Sequence, residues 1–489
     1  MEQKDFKDKL INATKWSTIT EIVAKLVTPI TNMILARIIA PEAFGVVATI
    51  TMVMSFADMF TDVGFQKYLI QYNFINEEEK VKTANVAFWT NLLISIVLLM
   101  IIVFFKDSIA VLVGNPGLGN VIAISSFQLV LTSFSSIQMA LYRRDFDFKT
   151  LFQIRIISIL IPFVVTIPLA LMGFGYWSLI IGSTSMQFFN AVLLTIKSKW
   201  KPKIYYSIKI LKKMLSFSLW SLIESISIWF SSWVDVFLIS SALDSYHIGL
   251  YKTSISTVNS LMALITASVI PVFFSTMSRM QNDDEKFSTM YFNTQRLMSY
   301  IVFPIGVGVF LYKELITKIL LGDQWLEAAG IIGCWGLVKT IYVVVGNLAS
   351  EVYRAKGRPQ ISLLSQIIYL LIFIPGCSIS IKFGFWTFLY VRCFIVVISV
   401  IIDMILMKIF MNISIIEVVK NLVPAICATI FMGVFGVVLK QFNEASMWSF
   451  ISISICCVIY LGLLIVIPKT RKDVINIKNL LNVKFKRIS

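Results

Sequence analysis

The sequence is short of what soluble chemistry needs. Charged residues make up 14% of 489, against about 25% in a soluble globular chain. There is one histidine, His247, so imidazole metal sites and Ser–His–Asp triads have almost no material. The six cysteines, Cys334, Cys377, Cys393, Cys427, Cys456 and Cys457, lie in apolar runs with no CxxC pair. That excludes a disulfide scaffold and a zinc or thioredoxin-type site. No Walker A run occurs, so ATP hydrolysis through a P-loop is excluded as well. The stretch up to Trp16 is basic and amphipathic, and the apolar run after it is too long and too polar for a signal peptide. No metal and no cofactor is expected.

What is present is apolar. Hydrophobic residues reach 57%, and the mean hydropathy is +0.83. A membrane helix needs about 20 apolar residues. Run lengths predict fourteen spans, near 17–39, 43–64, 84–105, 119–141, 151–172, 176–196, 214–240, 249–273, 293–312, 328–350, 361–381, 386–407, 422–439 and 447–467. The connections are short, and none holds a soluble domain. Numbering the connections alternately puts 32 of the 43 basic residues on one side and five on the other. By the positive-inside rule both termini are cytoplasmic. The net charge of +16 therefore reads as an orientation signal, with the bilayer as partner and not nucleic acid.

The chain also repeats itself. Trp16-Ser17 recurs as Trp220-Ser221 and Gly45 as Gly249, both at an offset of 204. Tyr142-Arg143 recurs as Tyr353-Arg354, at 211, and Gly175-Tyr176-Trp177-Ser178 as Gly384-Phe385-Trp386-Thr387, at 209. The order and placement predict a duplicated six-helix unit. Both copies enter the membrane in the same direction, as in parallel-repeat transporters. The expected domains are 1–196, helices 1–6; 197–213, a basic cytoplasmic linker; 214–408, helices 7–12; 409–467, two further helices; and 468–489, a basic tail.

Four spans carry polar stripes at helical spacing. Span 1 has Thr14, Thr18, Glu21, Lys25, Thr28 and Asn32; span 2 has Thr51, Ser55, Asp58 and Asp62. Span 7 has Glu224, Ser227, Ser231 and Asp235; span 8 has Lys252, Ser256, Asn259 and Thr266. Spans 1 and 7 are repeat mates, as are 2 and 8, so the four are expected around one wet cavity. The alternatives are local: Ser, Thr and Asn also bond between buried helices, Glu21 and Lys25 are i,i+4 neighbours that can neutralise each other, and Lys252 can snorkel. Lys339, Arg392, Asp403 and Arg296 are open between cavity and structural pairing. Pro29 in span 1 predicts a kink beside Lys25.

Ala40-Pro41-Glu42-Ala43-Phe44-Gly45, Asp62-Val63-Gly64-Phe65, Leu69-Ile70-Gln71, Tyr142-Arg143-Arg144-Asp145-Phe146, Gly173-Phe174-Gly175-Tyr176-Trp177-Ser178-Leu179 and Leu321-Gly322-Asp323-Gln324-Trp325 carry a resemblance. Over roughly the whole chain they are similar to the polysaccharide transporter branch of the multidrug/oligosaccharidyl-lipid/polysaccharide exporter superfamily, the Wzx-type O-antigen and capsule flippases. The resemblance implies an all-α polytopic protein of the bacterial cytoplasmic membrane, with two six-helix lobes in a V and two C-terminal helices. It implies a non-enzymatic flippase for an undecaprenyl-diphosphate-linked oligosaccharide, working by alternating access beside a polysaccharide polymerase and glycosyltransferases. It also implies a cationic cavity for the diphosphate, for which this chain offers Lys25, Lys252, Arg37, Lys339 and Arg392. Asn32 and Asn259 are expected to hold sugar hydroxyls. Glu21, Asp58, Glu224 or Asp235 are expected to bind a coupling H⁺ or Na⁺. A cation-coupled multidrug exporter of the same superfamily is the second expectation, kept open by Asp58, Asp235, Trp229 and Trp233. A membrane-embedded ligase, polymerase or acyltransferase is the third, disfavoured by the short outer loops.

Overall fold

A computed structural model describes residues 2–62, 64–443, 445–468, 470, 471 and 473; the side chains of residues 2–11, 62, 217–221, 223, 224, 268 and 446 lie outside the description. Among the described residues there is helix and no strand. The helices are α1 (Glu2–Ile38), α2 (Pro41–Asp62), α3 (Phe65–Gln71), α4 (Glu77–Phe104), α5 (Lys106–Leu112), α6 (Gly119–Arg144), α7 (Phe148–Ile161), α8 (Ile167–Leu171), α9 (Tyr176–Lys197) and α10 (Ile208–Ser240). There follow α11 (Ser245–Arg279), α12 (Asp284–Leu311), α13 (Lys313–Leu320), α14 (Ala328–Tyr342), α15 (Leu348–Ala355), α16 (Pro359–Ser380), α17 (Phe385–Met411), α18 (Ile415–Phe442) and α19 (Ser446–Val466).

Among the described residues, twelve stretches are long and apolar enough to cross a membrane, or thirteen if the two stretches of α11 count as one. The other two expected spans fall on α10 and α11, each of which includes residues whose side chains lie outside the description. Outward faces are apolar at helical spacing, as lipid contact requires. Leu93, Val97, Met100 and Phe104 on α4 are exposed, as are Ile426, Ile430, Val434 and Val437 on α18. The chain is a multi-pass membrane protein.

Turns at positions matched by the sequence repeat share a positive φ. After α6, Phe146 takes φ 58°; after α15, Gly357 takes φ 70° at the offset of 211. After α5 the chain turns at Gly114, φ 70°, and after α13 at Gly322, φ 102°. The short helices α5 and α13 open on Lys106-Asp107 and Lys313-Glu314, a further pair of equivalents that run-length reading passes over.

The fold divides into two compact units, Met1–Lys252 and Thr253–Ser489. In the first, α6 packs on α4 and α9, α1 on α7, and α2 on α6 and α10. The serines of α6 explain its central place. Ser125, Ser126, Ser133, Ser135 and Ser136 are buried, and small residues let helix backbones approach closely. Asn91 donates to Ser136 Oγ at 2.6 Å, joining α4 to α6. α1 runs through Pro29 as one helix, so the expected kink is not a break. Pro162 instead opens a π-turn, Pro162–Thr166, between α7 and α8. In the second unit α12 packs on α14 and α18, α16 on α17, and α18 on α19. Arg296 is structural there: its Nε donates to Asp473 Oδ2 at 2.7 Å, and Tyr300 Oη donates to the same oxygen at 2.9 Å.

Of residues 197–213, expected as a linker, Lys197 ends α9, 208–213 begin α10, and segment 198–207 is a strap on α4. Asn85 Oδ1 accepts from Lys203 N at 3.1 Å, Trp89 Nε1 donates to Lys203 O at 2.9 Å, and Tyr206 meets Thr90 at 3.1 Å. Nearby, Arg144 ends α3. Its Nη1 donates to the carbonyls of Leu69, Ile70 and Tyr72 at 2.8, 3.2 and 2.8 Å, and its guanidinium lies 4.6 Å from the Phe74 ring. Those carbonyls have no intrahelical donor, and hydrogen bonds to a charged group are worth about 1.5–3 kcal/mol. Arg144→Met is expected to destabilise the fold by about 2 kcal/mol, read as earlier thermal unfolding in detergent; an unchanged transition would show that water replaces the guanidinium.

Candidate functional site

The first unit carries the stripes of α1 and α2. On α1, Thr14, Thr18, Glu21, Thr28 and Asn32 are exposed and Lys25 half-buried, so the stripe is one uncovered face. Lys25 Nζ lies 3.8 Å from Glu21 Oε2, with the two side chains 36% and 67% exposed. The pair is exposed and not sealed in the core. Arg37 is exposed at the end of the same helix. On α2, half-buried Asp58 accepts from Thr61 Oγ1 at 3.2 Å. Glu224 and Asp62 have side chains outside the described residues, as do Trp220 and Ser221 of the repeat.

α10 faces α2 through Trp229, whose Nε1 donates to Ser55 Oγ at 3.1 Å and whose ring lies 4.8 Å from Phe56. Asp235 is buried and bonded: Tyr251 Oη donates to its Oδ2 at 2.8 Å and Val236 N to its Oδ1 at 2.8 Å. That ties α10 to α11. Lys252 is held back onto α10, with Nζ donating to Ser232 O at 3.1 Å and 3.9 Å from the Trp233 ring centroid.

The second unit brings Asn259, Lys339 and Arg392 to one aromatic cluster. Arg392, on α17, is 7% exposed. Its guanidinium lies 4.2 Å from the Phe373 ring, 5.4 Å from Trp335 and 5.8 Å from Tyr369, and Nη1 donates to Tyr369 Oη. Trp335 Nε1 donates to Asn259 Oδ1 at 3.2 Å. Lys339, one turn along α14 from Trp335, sits 4.6 Å over the Tyr342 ring. Asp403 lies three turns from Arg392 on α17 and accepts from Ser365 Oγ at 2.6 Å. At 1.5 Å per residue, it is too far along the helix for Arg392 to pair with it.

Three of the expected cations, Lys252, Lys339 and Arg392, thus rest on aromatic faces. A ring quadrupole attracts a cation without neutralising it, whereas a carboxylate cancels it. The aromatic partners Trp335, Tyr369 and Phe373 went unread in the sequence. Their signal was available: Trp335 and Lys339 are i,i+4, as are Tyr369 and Phe373.

At the far end of the first unit from the basic loops, α2 and α11 cross backbone to backbone. A Cβ at Gly45 would overlap the Ser245 carbonyl, and one at Gly249 the Pro41 carbonyl. Asn115 braces the crossing, donating to Thr49 Oγ1 at 2.6 Å and accepting from Ser245 Oγ at 2.6 Å. The repeat-matched glycines meet each other.

The chain is 21% identical over 383 residues to the lipopolysaccharide biosynthesis protein WzxC of Escherichia coli strain K12, covering 76% of this chain and 75% of that one. A lipid II flippase, MurJ, in an inward-closed conformation shares the fold with a TM-score of 0.76 at 17% identity, covering 94% of this chain and all of that one. An inward-facing MATE-family multidrug resistance transporter follows at a TM-score of 0.61 and 13% identity, over 81% and 98%. The family model described as "polysaccharide biosynthesis protein" matches residues 34–330, which include every motif behind the resemblance. This chain belongs to that family of membrane transport proteins.

Proposed function

We propose that the protein is a flippase that carries an undecaprenyl-diphosphate-linked oligosaccharide from the cytoplasmic to the outer leaflet of the bacterial cytoplasmic membrane, and that it catalyses no covalent step. The observation that carries this reading is the set of cations within apolar helices seated on aromatic rings. Intramembrane cations are costly and mark ligand pathways. A diphosphate is the matching anion, and Asn32, Asn259 and the serine and threonine rows offer hydrogen bonds to sugar hydroxyls. The WzxC and MurJ likenesses support the same substrate class.

Fourteen spans with both termini cytoplasmic fit the charge asymmetry. The α2–α11 crossing then lies toward the outer face and serves as a closed outer gate in alternating access. The half-buried Asp58 and the Glu21–Lys25 pair are the sites proposed for a coupling H⁺ or Na⁺, with Glu224 as a third. Asp235 is the weakest of the four, since Tyr251 and a backbone amide already hold it. The MATE fold likeness keeps cation-coupled drug export as the second reading; aromatic-seated cations weigh against it, because they repel a cationic drug.

The test is flipping of a fluorescent undecaprenyl-diphosphate oligosaccharide by the full chain in liposomes. Wild type is expected to flip it, and an equal rate from protein-free liposomes overturns the reading. Lys25→Ala is expected to slow flipping about tenfold, the scale of one partly exposed charge contact; an unchanged rate removes Lys25 from the site.

A further inference from the structure

The basic end of the first unit holds a cleft of about 780 Å³, between the start of α4, the α6–α7 turn and the strap after α9. It shares Glu77, Lys80 and Asp145 with a second cleft of about 470 Å³. Its size falls in the range of small-molecule sites, about 300–1,000 Å³, and exceeds what an inorganic anion fills. None of the expected transport residues lines it.

Its charges show which groups remain for a ligand. Both carboxylate oxygens of Asp147 are taken, by Thr150 N at 3.1 Å and Thr150 Oγ1 at 2.7 Å. Glu77 is paired with Lys80 at 2.6 Å, and Asp145 stands 3.9 Å from the same lysine. Lys197 bonds a neutral partner, Gln153 Oε1, at 2.8 Å. Lys199 is an exposed wall residue. Two further wall residues, Tyr142 and Trp200, bury Oη and Nε1 without a protein hydrogen-bond partner. Buried donors seldom stay unpaired, because each forgoes about 1–3 kcal/mol. The acids are therefore largely committed, while Lys197, Lys199 and two aromatic residues with unpaired buried polar atoms, Tyr142 and Trp200, stand on one cleft wall.

We propose that this cleft binds an anionic saccharide, a hydroxylated ring bearing a phosphate or carboxylate. Lys197 and Lys199 take the negative group, Tyr142 and Trp200 donate to ring or hydroxyl oxygens, and Asp145 accepts from a hydroxyl. Its use as a cytoplasmic receiving site for the glycan before transport rests on the flippase reading; the binding itself does not. The strap brings Lys199 and Trp200 to the wall, so its order on α4 is what completes the site.

The experiment is calorimetric titration of the full chain in zwitterionic nanodiscs with glucose 1-phosphate, glucuronate, glucose and inorganic phosphate. Glucose 1-phosphate or glucuronate is expected to bind at least about tenfold more tightly than glucose or phosphate, the worth of one charge-assisted hydrogen bond. Lys197→Ala/Lys199→Ala is expected to weaken it at least about tenfold, and Trp200→Phe several-fold. Phosphate binding as well as glucose 1-phosphate would make this a bare anion site and overturn the proposal. So would variants that bind like wild type, or loss of the sugar phosphate's binding in anionic discs, which assigns the cleft to lipid headgroups. Flipping is measured on the same samples. A protein that binds and does not flip overturns the flippase reading alone; one that flips and does not bind overturns this proposal alone.

Discussion

Arg392→Met is expected to lower flipping of the lipid-linked oligosaccharide by about two orders of magnitude while leaving the fold intact. Methionine keeps most of the side-chain stem and packs against Phe373, Trp335 and Tyr369, so the aromatic cluster does not collapse. Only the charge and its donors are lost. A hydrogen bond from a charged donor is worth about 1.5–3 kcal/mol. Loss of the Arg392 contact to a diphosphate in the transported state is thus worth about 3 kcal/mol, near a hundredfold in rate. Replacing a buried charge by an apolar side chain is often neutral or stabilising, so thermal unfolding at or above the wild-type temperature is expected in the same sample. That split separates function from stability. Arg392→Lys is expected to recover part of the rate, because it restores charge without the planar face that three rings enclose. Wild-type flipping by the methionine variant would remove Arg392 from the substrate path.

The span pattern was legible because a bilayer imposes length and apolarity on every crossing helix. Twelve of the predicted runs meet the structural criteria directly. The remaining two, α10 and α11, include residues whose side chains lie outside the description. The site was half legible. Helical spacing singled out Lys25 and Asn259, whereas Lys339 and Arg392 stood out only as charges within apolar spans, open between cavity and structural pairing. It missed the rings that hold Lys339 and Arg392, because aromatics are ordinary in spans and only their three-dimensional convergence distinguishes them. The Asp235–Tyr251 bond was invisible for a related reason: it joins two helices across a turn. The 198–207 strap was read as a linker because its lysines dominate the composition, while Asn85, Trp89 and Thr90, which fix it, belong to α4.

Gly45→Ala is expected to reduce flipping about a hundredfold, comparable to the loss of Arg392, by a different route. The methyl would overlap the Ser245 carbonyl, and backbone cannot move aside as a flexible side chain can. α2 and α11 must therefore separate, which breaks the Thr49–Asn115–Ser245 chain of hydrogen bonds. Gly249→Ala meets the Pro41 carbonyl at the same crossing and is expected to act alike. A carrier that can no longer close one end shifts its population toward the other state, and a shift of about 3 kcal/mol leaves the closed state below one in a hundred. The two substitutions remove one contact, so the double variant is expected to be little worse than either alone. Two independent sites would instead add. Closure itself is read with Asn115→Cys/Ser245→Cys and a short bifunctional maleimide, on a background lacking the six native cysteines. Cross-linking is expected in the parent and should fall steeply with Gly45→Ala, whereas equal cross-linking with flipping still lost would place the defect outside the crossing. Full flipping with the methyl in place would show that α2 and α11 need not meet during transport, and the proposed outer gate would have to lie elsewhere.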